Sequence, residues 1–338
     1  MKSNNGIACA AAAFLVVMAI VLSPQAAAET IKIGIIKLAG NGPLYIAKEK
    51  GYFAAEGLTA EFVFFTGAEP ISSAVLSGDV DVGATGLTAA FYNLAGQGSL
   101  RLIAPNINDA AGFPLFATVV SNKAYAAGLK SYRDLPGHSM AIATLGSTTH
   151  YALVLIAQKL GFDPASIRML PLQSTPNIIS AVTGGQAESG IVAATSAAPS
   201  LQRDDMKLIG FTGDVVPWQT GVMFVATRTA NDRREMIQRY LRAVGKGRRD
   251  YAAAFIGADG KPTESSTTSD TLGLISKYVE QPVQQVKQGI SYVDPDGRLD
   301  VQDVLSQIAW YKSQGMVKGE FEPKTVIDMR YVVPLPAK

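Results

Sequence analysis

The feature that most constrains this chain is an internal repeat. Ile71, Ser73, Ala74, Val75, Gly78, Gly83 and Thr88 recur at one constant offset as Ile178, Ser180, Ala181, Val182, Gly185, Gly190 and Thr195. Each copy reads as an apolar helix, a tight glycine turn and a short strand. Upstream, Ile46-Ala47 followed by Gly51-Tyr52 is echoed by Ile156-Ala157 followed by Gly161-Phe162. Self-similarity with the same element order on both sides is the mark of a duplication. It predicts two similar α/β lobes rather than one large core, and the chain length favours the same division.

Around the first copy the pattern is a strand over Ile31–Ile36, a loop over Lys37–Pro43, a helix over Leu44–Lys50 closed by Gly51-Tyr52-Phe53, and a second strand over Glu61–Phe65. This β-α-β-α-β order predicts a mostly parallel sheet flanked by helices in each lobe. The segments Pro105–Pro114 and Gly213–Gly221 read as crossings, each followed by a strand, Phe116–Ser121 and Val222–Thr227. Residues 29–115 and 220–338 are therefore expected to form lobe 1 and residues 116–219 lobe 2. Helical spacing over Asp232–Phe255, Thr271–Val279 and Val301–Tyr311 places three helices at the C-terminal end of lobe 1.

In an open parallel sheet a ligand binds beyond the carboxyl ends of the strands, where loops enter helices. The repeat points to four such loops: Lys37–Pro43, Thr85–Thr88, Thr144–Thr149 and Val192–Thr195. In the third, Gly146 supplies a turn, and Ser147, Thr148 and Thr149 are N-cap residue types just ahead of the apolar run from Tyr151 to Ile156. A helix start of this kind leaves backbone N–H groups free at the positive end of the helix dipole and suits an anion. The same hydroxyls would also serve as plain caps.

Residues 1–28 carry Lys2, an apolar run from Ile7 to Leu22, and Ser23-Pro24-Gln25-Ala26-Ala27-Ala28, which is the layout of a secretory signal cut before Glu29. The mature protein is thus expected in the periplasm. The single cysteine, Cys9, lies within that segment, so the mature chain is expected to lack disulfides, thiol catalysis and cysteine-based zinc sites. Loss of Lys2 leaves a near-neutral chain with no basic stripe, which argues against nucleic acid as a partner.

Two motifs suggest chemistry that their surroundings do not support. Gly137-His138-Ser139-Met140-Ala141 approaches a nucleophile elbow, but that fold needs a histidine after the serine's strand and late in the chain, and His150 is the last one. Asp294-Pro295-Asp296-Gly297-Arg298-Leu299-Asp300 lacks the alternating ligands and terminal glutamate of a calcium loop and is expected to be a turn. No catalytic residue, metal or cofactor is expected. No phosphate-binding Gly-x-x-x-x-Gly-Lys-Ser/Thr motif is present, so ATP hydrolysis would belong to a separate partner.

Three segments, Leu44-Tyr45-Ile46-Ala47-Lys48-Glu49-Lys50-Gly51-Tyr52-Phe53, Ser77-Gly78-Asp79-Val80-Asp81-Val82-Gly83 and Gly146-Ser147-Thr148-Thr149-His150-Tyr151, carry a family resemblance. The chain resembles the type II periplasmic solute-binding proteins of ABC importers, in the branch that binds sulfonates, taurine, nitrate and thiamine-precursor pyrimidines. The resemblance implies a monomeric two-lobed clamp that closes on a small solute and delivers it to an inner-membrane permease with a separate ATPase.

Position on the four loops marks Lys37, Asn41, Gly42, Thr85, Gly86, Thr88, Gly146, Ser147, Thr148, Thr149 and Thr195 as candidate ligand contacts, with His150 on the helical turn that follows the third; the resemblance adds Trp218. Lys37 is either a counter-charge or a solvated lysine, and His150 either a cleft wall or a satisfied histidine on a first helical turn. Asn41, Asn106 and Asn108 either bond the ligand or shape their loops. Tyr45, Phe91, Tyr92 and Trp218 are candidate aromatic walls for a flat ring. The expected solute is a small organic anion, a sulfonate or carboxylate. The alternatives are a pyrimidine or nitrate, an enzyme on the same scaffold, or a sensor that signals to a receptor.

Overall fold

The computed structural model describes residues 28–336; the expected signal segment, up to Ala27, lies outside the described residues. Strands β1 (Glu29–Ile36), β2 (Leu58–Phe65), β3 (Val82–Gly86), β4 (Leu100–Pro105), β5 (Phe116–Ser121), β6 (Ser139–Ile142), β7 (Arg168–Pro171), β8 (Ser189–Ala193), β9 (Met206–Phe211) and β10 (Gly221–Ala226) build two five-stranded sheets. The first has the order β2-β1-β3-β10-β4. The second, read from its matching edge, is β7-β6-β8-β5-β9. The two orders are the same once β10 and β5 are set equivalent and the other strands of each sheet are counted in chain order, so the duplication in the sequence is a duplication of topology.

In the first sheet β1 runs parallel to β2 and β3, with Ile33 between Phe62 and Val82, while β10 lies antiparallel between β3 and β4. In the second, β6 runs parallel to β7 and β8, and β5 lies antiparallel between β8 and β9. The expectation of mostly parallel sheets therefore holds for four strands of each, and the fifth is reversed. The reversal follows from the crossings. The chain leaves the first sheet at the carboxyl end of β4 and enters the second at the end where the carboxyl ends of its other strands lie, so β5 must run back against its neighbours. β10 repeats this on the return.

The helices that matter for the site are α1 (Gly42–Glu49), α2 (Ala68–Ser77), α3 (Ala89–Gly96), α4 (Thr148–Leu160), α5 (Thr175–Thr183) and α6 (Ala194–Gln202); behind them lie α7 (Arg234–Phe255), α8 (Thr268–Val279) and α9 (Val301–Ser313). Helix α7 buries Met236, Ile237, Tyr240, Val244 and Tyr251 at helical spacing. It crosses α1 at close range because Gly247 has no side chain: a Cβ there would lie 2.1 Å from the Pro43 carbonyl oxygen. Gly42 is used in the same way. It lies under the Tyr251 ring, where a Cβ would come within 2.6 Å.

The crossings meet each other. Asn108–Asp109 and Trp218–Gln219 pair as a short antiparallel ladder, with Trp218 opposite Asp109. Helix α9 clamps this ladder: Gln307 Nε2 donates to the Gln219 carbonyl at 2.8 Å, and Asp303 Oδ2 accepts from the Gln219 N–H at 3.0 Å. The Tyr311 ring of α9 also packs on Tyr92 of α3 and on Tyr151 of α4, at 5.6 and 5.7 Å between centroids. Helix α9 thus touches elements flanking both sheets.

Candidate functional site

Helices α1 to α6 each begin just past the carboxyl end of a strand, and their N-cap residues are Asn41, Gly67, Thr88, Ser147, Ser174 and Ala193. All of these residues line a single cavity of about 180 Å³ between the two sheets. Three of the caps come from each side. Thr88, Ser147 and Ser174 each accept the N–H three residues on, from Phe91, His150 and Asn177. That satisfies one donor per helix and leaves other first-turn N–H groups, those of Thr148 and Thr149 among them, with no carbonyl behind them to receive their hydrogens. Each helix end carries roughly half a positive elementary charge.

The rims of the cavity touch. The Ala89 N–H donates to the Gly146 carbonyl at 2.9 Å, Thr148 Oγ1 donates to the Leu87 carbonyl at 3.3 Å, and Thr144 Oγ1 donates to Glu69 Oε1 at 3.2 Å. Two glycines make this approach feasible. A Cβ on Gly86 would come within 2.5 Å of Thr148 Oγ1, and one on Gly146, whose φ is +81°, would lie 2.8 Å from the Ala89 methyl. The structure is that of a closed clamp.

Among the sequence-derived candidates, Asn41, Thr85, Gly86, Thr88, Ser147, Thr148 and Thr149 line the cavity, and so does Asn106. The others lie elsewhere. Lys37 forms an ion pair with Glu280 at 2.6 Å and sits over the Phe64 ring, outside the lining. Gly42 is packed beneath Tyr251. Gly146 is spent on rim contact. Thr195 packs against Gly289, where a Cβ would come within 2.0 Å of its methyl group. Trp218 is buried in the crossing ladder against Tyr151, and Tyr45, Phe91 and Tyr92 are core residues. None of the aromatic candidates lines the cavity.

His150 has a different task. Its Nδ1 accepts the Gly146 N–H at 3.0 Å, and its ring stands edge-on to Trp310. Burial pushes its pKa down to about 4, so at neutral pH the ring is uncharged, as an Nδ1 acceptor requires. It holds the glycine turn that carries Ser147 and Thr148.

Sequence reasoning missed the third loop of each lobe: Thr66–Glu69 after β2 and Gln173–Thr175 after β7 also line the cavity. The signal was available in the rule for parallel sheets, because β2 runs parallel to β1 and β3, and β7 to β6 and β8. Glu69 is the one charged side chain in the lining, among the described residues. No lysine or arginine among the described residues contributes to it, so positive potential at the cavity comes from backbone N–H groups.

Ser139 does not meet a histidine base. Its hydroxyl donates to Glu188 Oε2 at 3.0 Å, and the other carboxylate oxygen, Oε1, binds His138 Nδ1 at 2.9 Å. Glu188 also accepts the Ser139 N–H, so the group pins β6 to the start of β8. Asp294 accepts from the Asp296 and Arg298 N–H groups and from the Arg298 guanidinium, which makes its segment a braced turn.

The protein is similar in structure to the alkanesulfonate-binding protein SsuA from Xanthomonas axonopodis pv. citri bound to MOPS, with a TM-score of 0.70 at 16% identity over 88% of this chain and 98% of that one. It is also similar to the periplasmic nitrate-binding protein NrtA from Synechocystis PCC 6803, with a TM-score of 0.62 at 15% identity over 88% and 84% of the two chains. A third likeness is to a mutant of DSZB in complex with biphenyl-2-sulfinic acid, with a TM-score of 0.59 at 12% identity over 91% and 97%. These likenesses show a periplasmic-binding-protein fold. Comparison with the curated proteins gives no match. The family model described as NMT1/THI5 like matches residues 40–254, and the chain therefore belongs to the NMT1/THI5-like family.

Proposed function

We infer that this protein is the exported solute-binding component of an ABC uptake system, closing on a small organic anion, a sulfonate or carboxylate, and delivering it to an inner-membrane permease. The observation that carries the reading is the convergence of the α1–α6 N-termini on one cavity that, among the described residues, has no cationic side chain. Uncapped N–H groups at helix starts bind oxyanions by direct donation and through the dipole. The hydroxyls of Thr85, Ser147 and Thr149 add donors that can rotate to suit an oxyanion. The structural likeness to an alkanesulfonate-binding and a nitrate-binding protein points the same way.

The test is calorimetric titration of the protein from Glu29 onward with alkanesulfonates, short carboxylates, nitrate and pyrimidines. Saturable binding of a sulfonate or carboxylate, with the solute recovered unchanged, supports a carrier. Conversion of the solute would instead make the protein an enzyme on this scaffold, and binding of a pyrimidine alone would remove the anion reading.

A further inference from the structure

The cavity wall is not uniformly a donor surface. Asn41 Nδ2 donates to the Ile36 carbonyl at 2.8 Å, which fixes the orientation of that amide and turns its Oδ1 toward Asn106. Asn106 must then present its NH2 group, and Nδ2 does donate to Asn41 Oδ1 at 2.8 Å. This leaves Asn106 Oδ1 as a buried acceptor in the cavity lining with no donor among the described residues. Asn106 is only 2% exposed, and an acceptor so buried carries a desolvation cost unless something donates to it. Thr85 Oγ1, in the same lining, is also buried and unpartnered.

Glu69 adds charge to this acceptor set. One of its carboxylate oxygens takes the Thr144 hydroxyl hydrogen; the other, Oε2, meets no donor among the described residues, and no cation pairs with the group there. Its place in the first turn of α2 is favourable for a carboxylate, but that does not account for its facing a cavity suited to anions. A plain anion enclosed there would be repelled by Glu69.

We propose that the solute is a small zwitterion whose acidic head takes the free helix N–H groups while its protonated amine is received by Glu69 and Asn106 Oδ1. This rests on the anion reading above and adds a second recognition point to it. Glu69 then acts as a specificity-determining residue: it selects a solute with an ammonium group over one with a methyl in the same place. A Thr144 bond to the same carboxylate ties recognition of the amine to closure of the clamp.

The test compares isosteres by calorimetry at pH 7.5: taurine against propane-1-sulfonate, and β-alanine against butanoate, in the wild-type protein and in Glu69→Gln, which keeps an acceptor for Thr144 and removes only the charge. The wild type should bind the amine-bearing member of a pair about tenfold or more tightly, the usual scale for a charge-assisted hydrogen bond, and Glu69→Gln should abolish or reverse that preference. Asn106→Leu should weaken the amine-bearing member selectively. Equal binding within both pairs, or preference for the methyl isostere, overturns the proposal and leaves the anion reading standing. A wild-type preference unchanged in Glu69→Gln overturns the role of Glu69. Binding of neither member of either pair, in folded and ligand-free protein, removes the anion reading itself and this proposal with it.

Discussion

The Ala89 N–H donates to the Gly146 carbonyl at 2.9 Å, joining a helix start that follows β3 to a turn that follows β6, across the cleft. The bond exists because Gly146 holds φ at +81° and offers no Cβ to the Ala89 methyl. Gly146→Ala should therefore oppose closure. Left-handed backbone costs an alanine on the order of 1–2 kcal/mol, and the methyl clash is added only when the rims meet. Solute affinity should fall about tenfold by calorimetry, and small-angle scattering of the saturated variant should show a more extended particle than saturated wild type. Unchanged affinity would show that this rim contact is not part of the bound state.

Ser147→Ala and Thr148→Val separate capping from ligand contact. Ser147 Oγ accepts the His150 N–H, so its loss should lower unfolding free energy by about 1 kcal/mol, the usual value of an N-cap, as well as weakening binding. Thr148 Oγ1 bonds the Leu87 carbonyl across the cleft; Thr148→Val should leave the melting temperature of the free protein near that of wild type and weaken the solute. If both variants bind as wild type does, the α4 N-terminus is not where the anion sits.

The His150 ring predicts a loss of stability in acid. Its folded pKa of about 4 lies below the ordinary 6.5, so between these values the unfolded chain takes a proton that the folded protein refuses. Stability then falls as pH drops through this window and is fully present above it. His150→Asn, which keeps an acceptor for the Gly146 N–H, should flatten the dependence of melting temperature on pH between about 4 and 6.5 relative to wild type. An identical slope in the two proteins would contradict the assignment.

Asp109 has the opposite sign. Burial raises its pKa from 3.8 to about 7, against the lowering effect of the Thr212 hydroxyl, with Asp214 nearby adding repulsion. Between these values the folded protein holds a proton that the unfolded chain releases, so this group makes stability fall as pH rises from about 4 to 7. Asp109→Asn keeps an acceptor for Thr212 and should gain melting temperature over wild type at pH 8 but not at pH 4. Because Asp109 pairs with Trp218 in the crossing ladder, solute affinity should become less pH-dependent over the same range. A variant that tracks wild type at both pH values would exclude a raised Asp109 pKa in the folded protein.

The duplication made the fold legible. Matching residues such as Gly78 with Gly185 and Gly83 with Gly190 mark the same turn and strand in each lobe, and from them the cleft loops follow by the rule for parallel sheets. The reversed strands β5 and β10 were not legible, because strand direction depends on which end of the sheet the chain enters from and leaves no periodicity of its own. At the site, Asn41, Thr88 and Ser147 could be placed because each precedes a helix. Lys37, His150 and Trp218 occupy plausible sequence positions, but their side chains are engaged by Glu280, Gly146 and the crossing ladder, partners far away in sequence or within the turn itself. Glu69 was missed because it sits in an ordinary helix first turn, and only the fold shows what that turn faces.

The most direct measurement is the thermal shift of the protein from Glu29 onward with taurine, β-alanine, alkanesulfonates and carboxylates, each set beside the amide or sulfonamide that lacks the acidic charge. A ligand at a hundred times its dissociation constant adds about 2.7 kcal/mol of stability. A clear rise in melting temperature is expected with at least one acid and none with its uncharged partner. An equal rise with both, or a rise only with solutes that have no anionic group, would contradict the claim that the converging helix starts bind an anion.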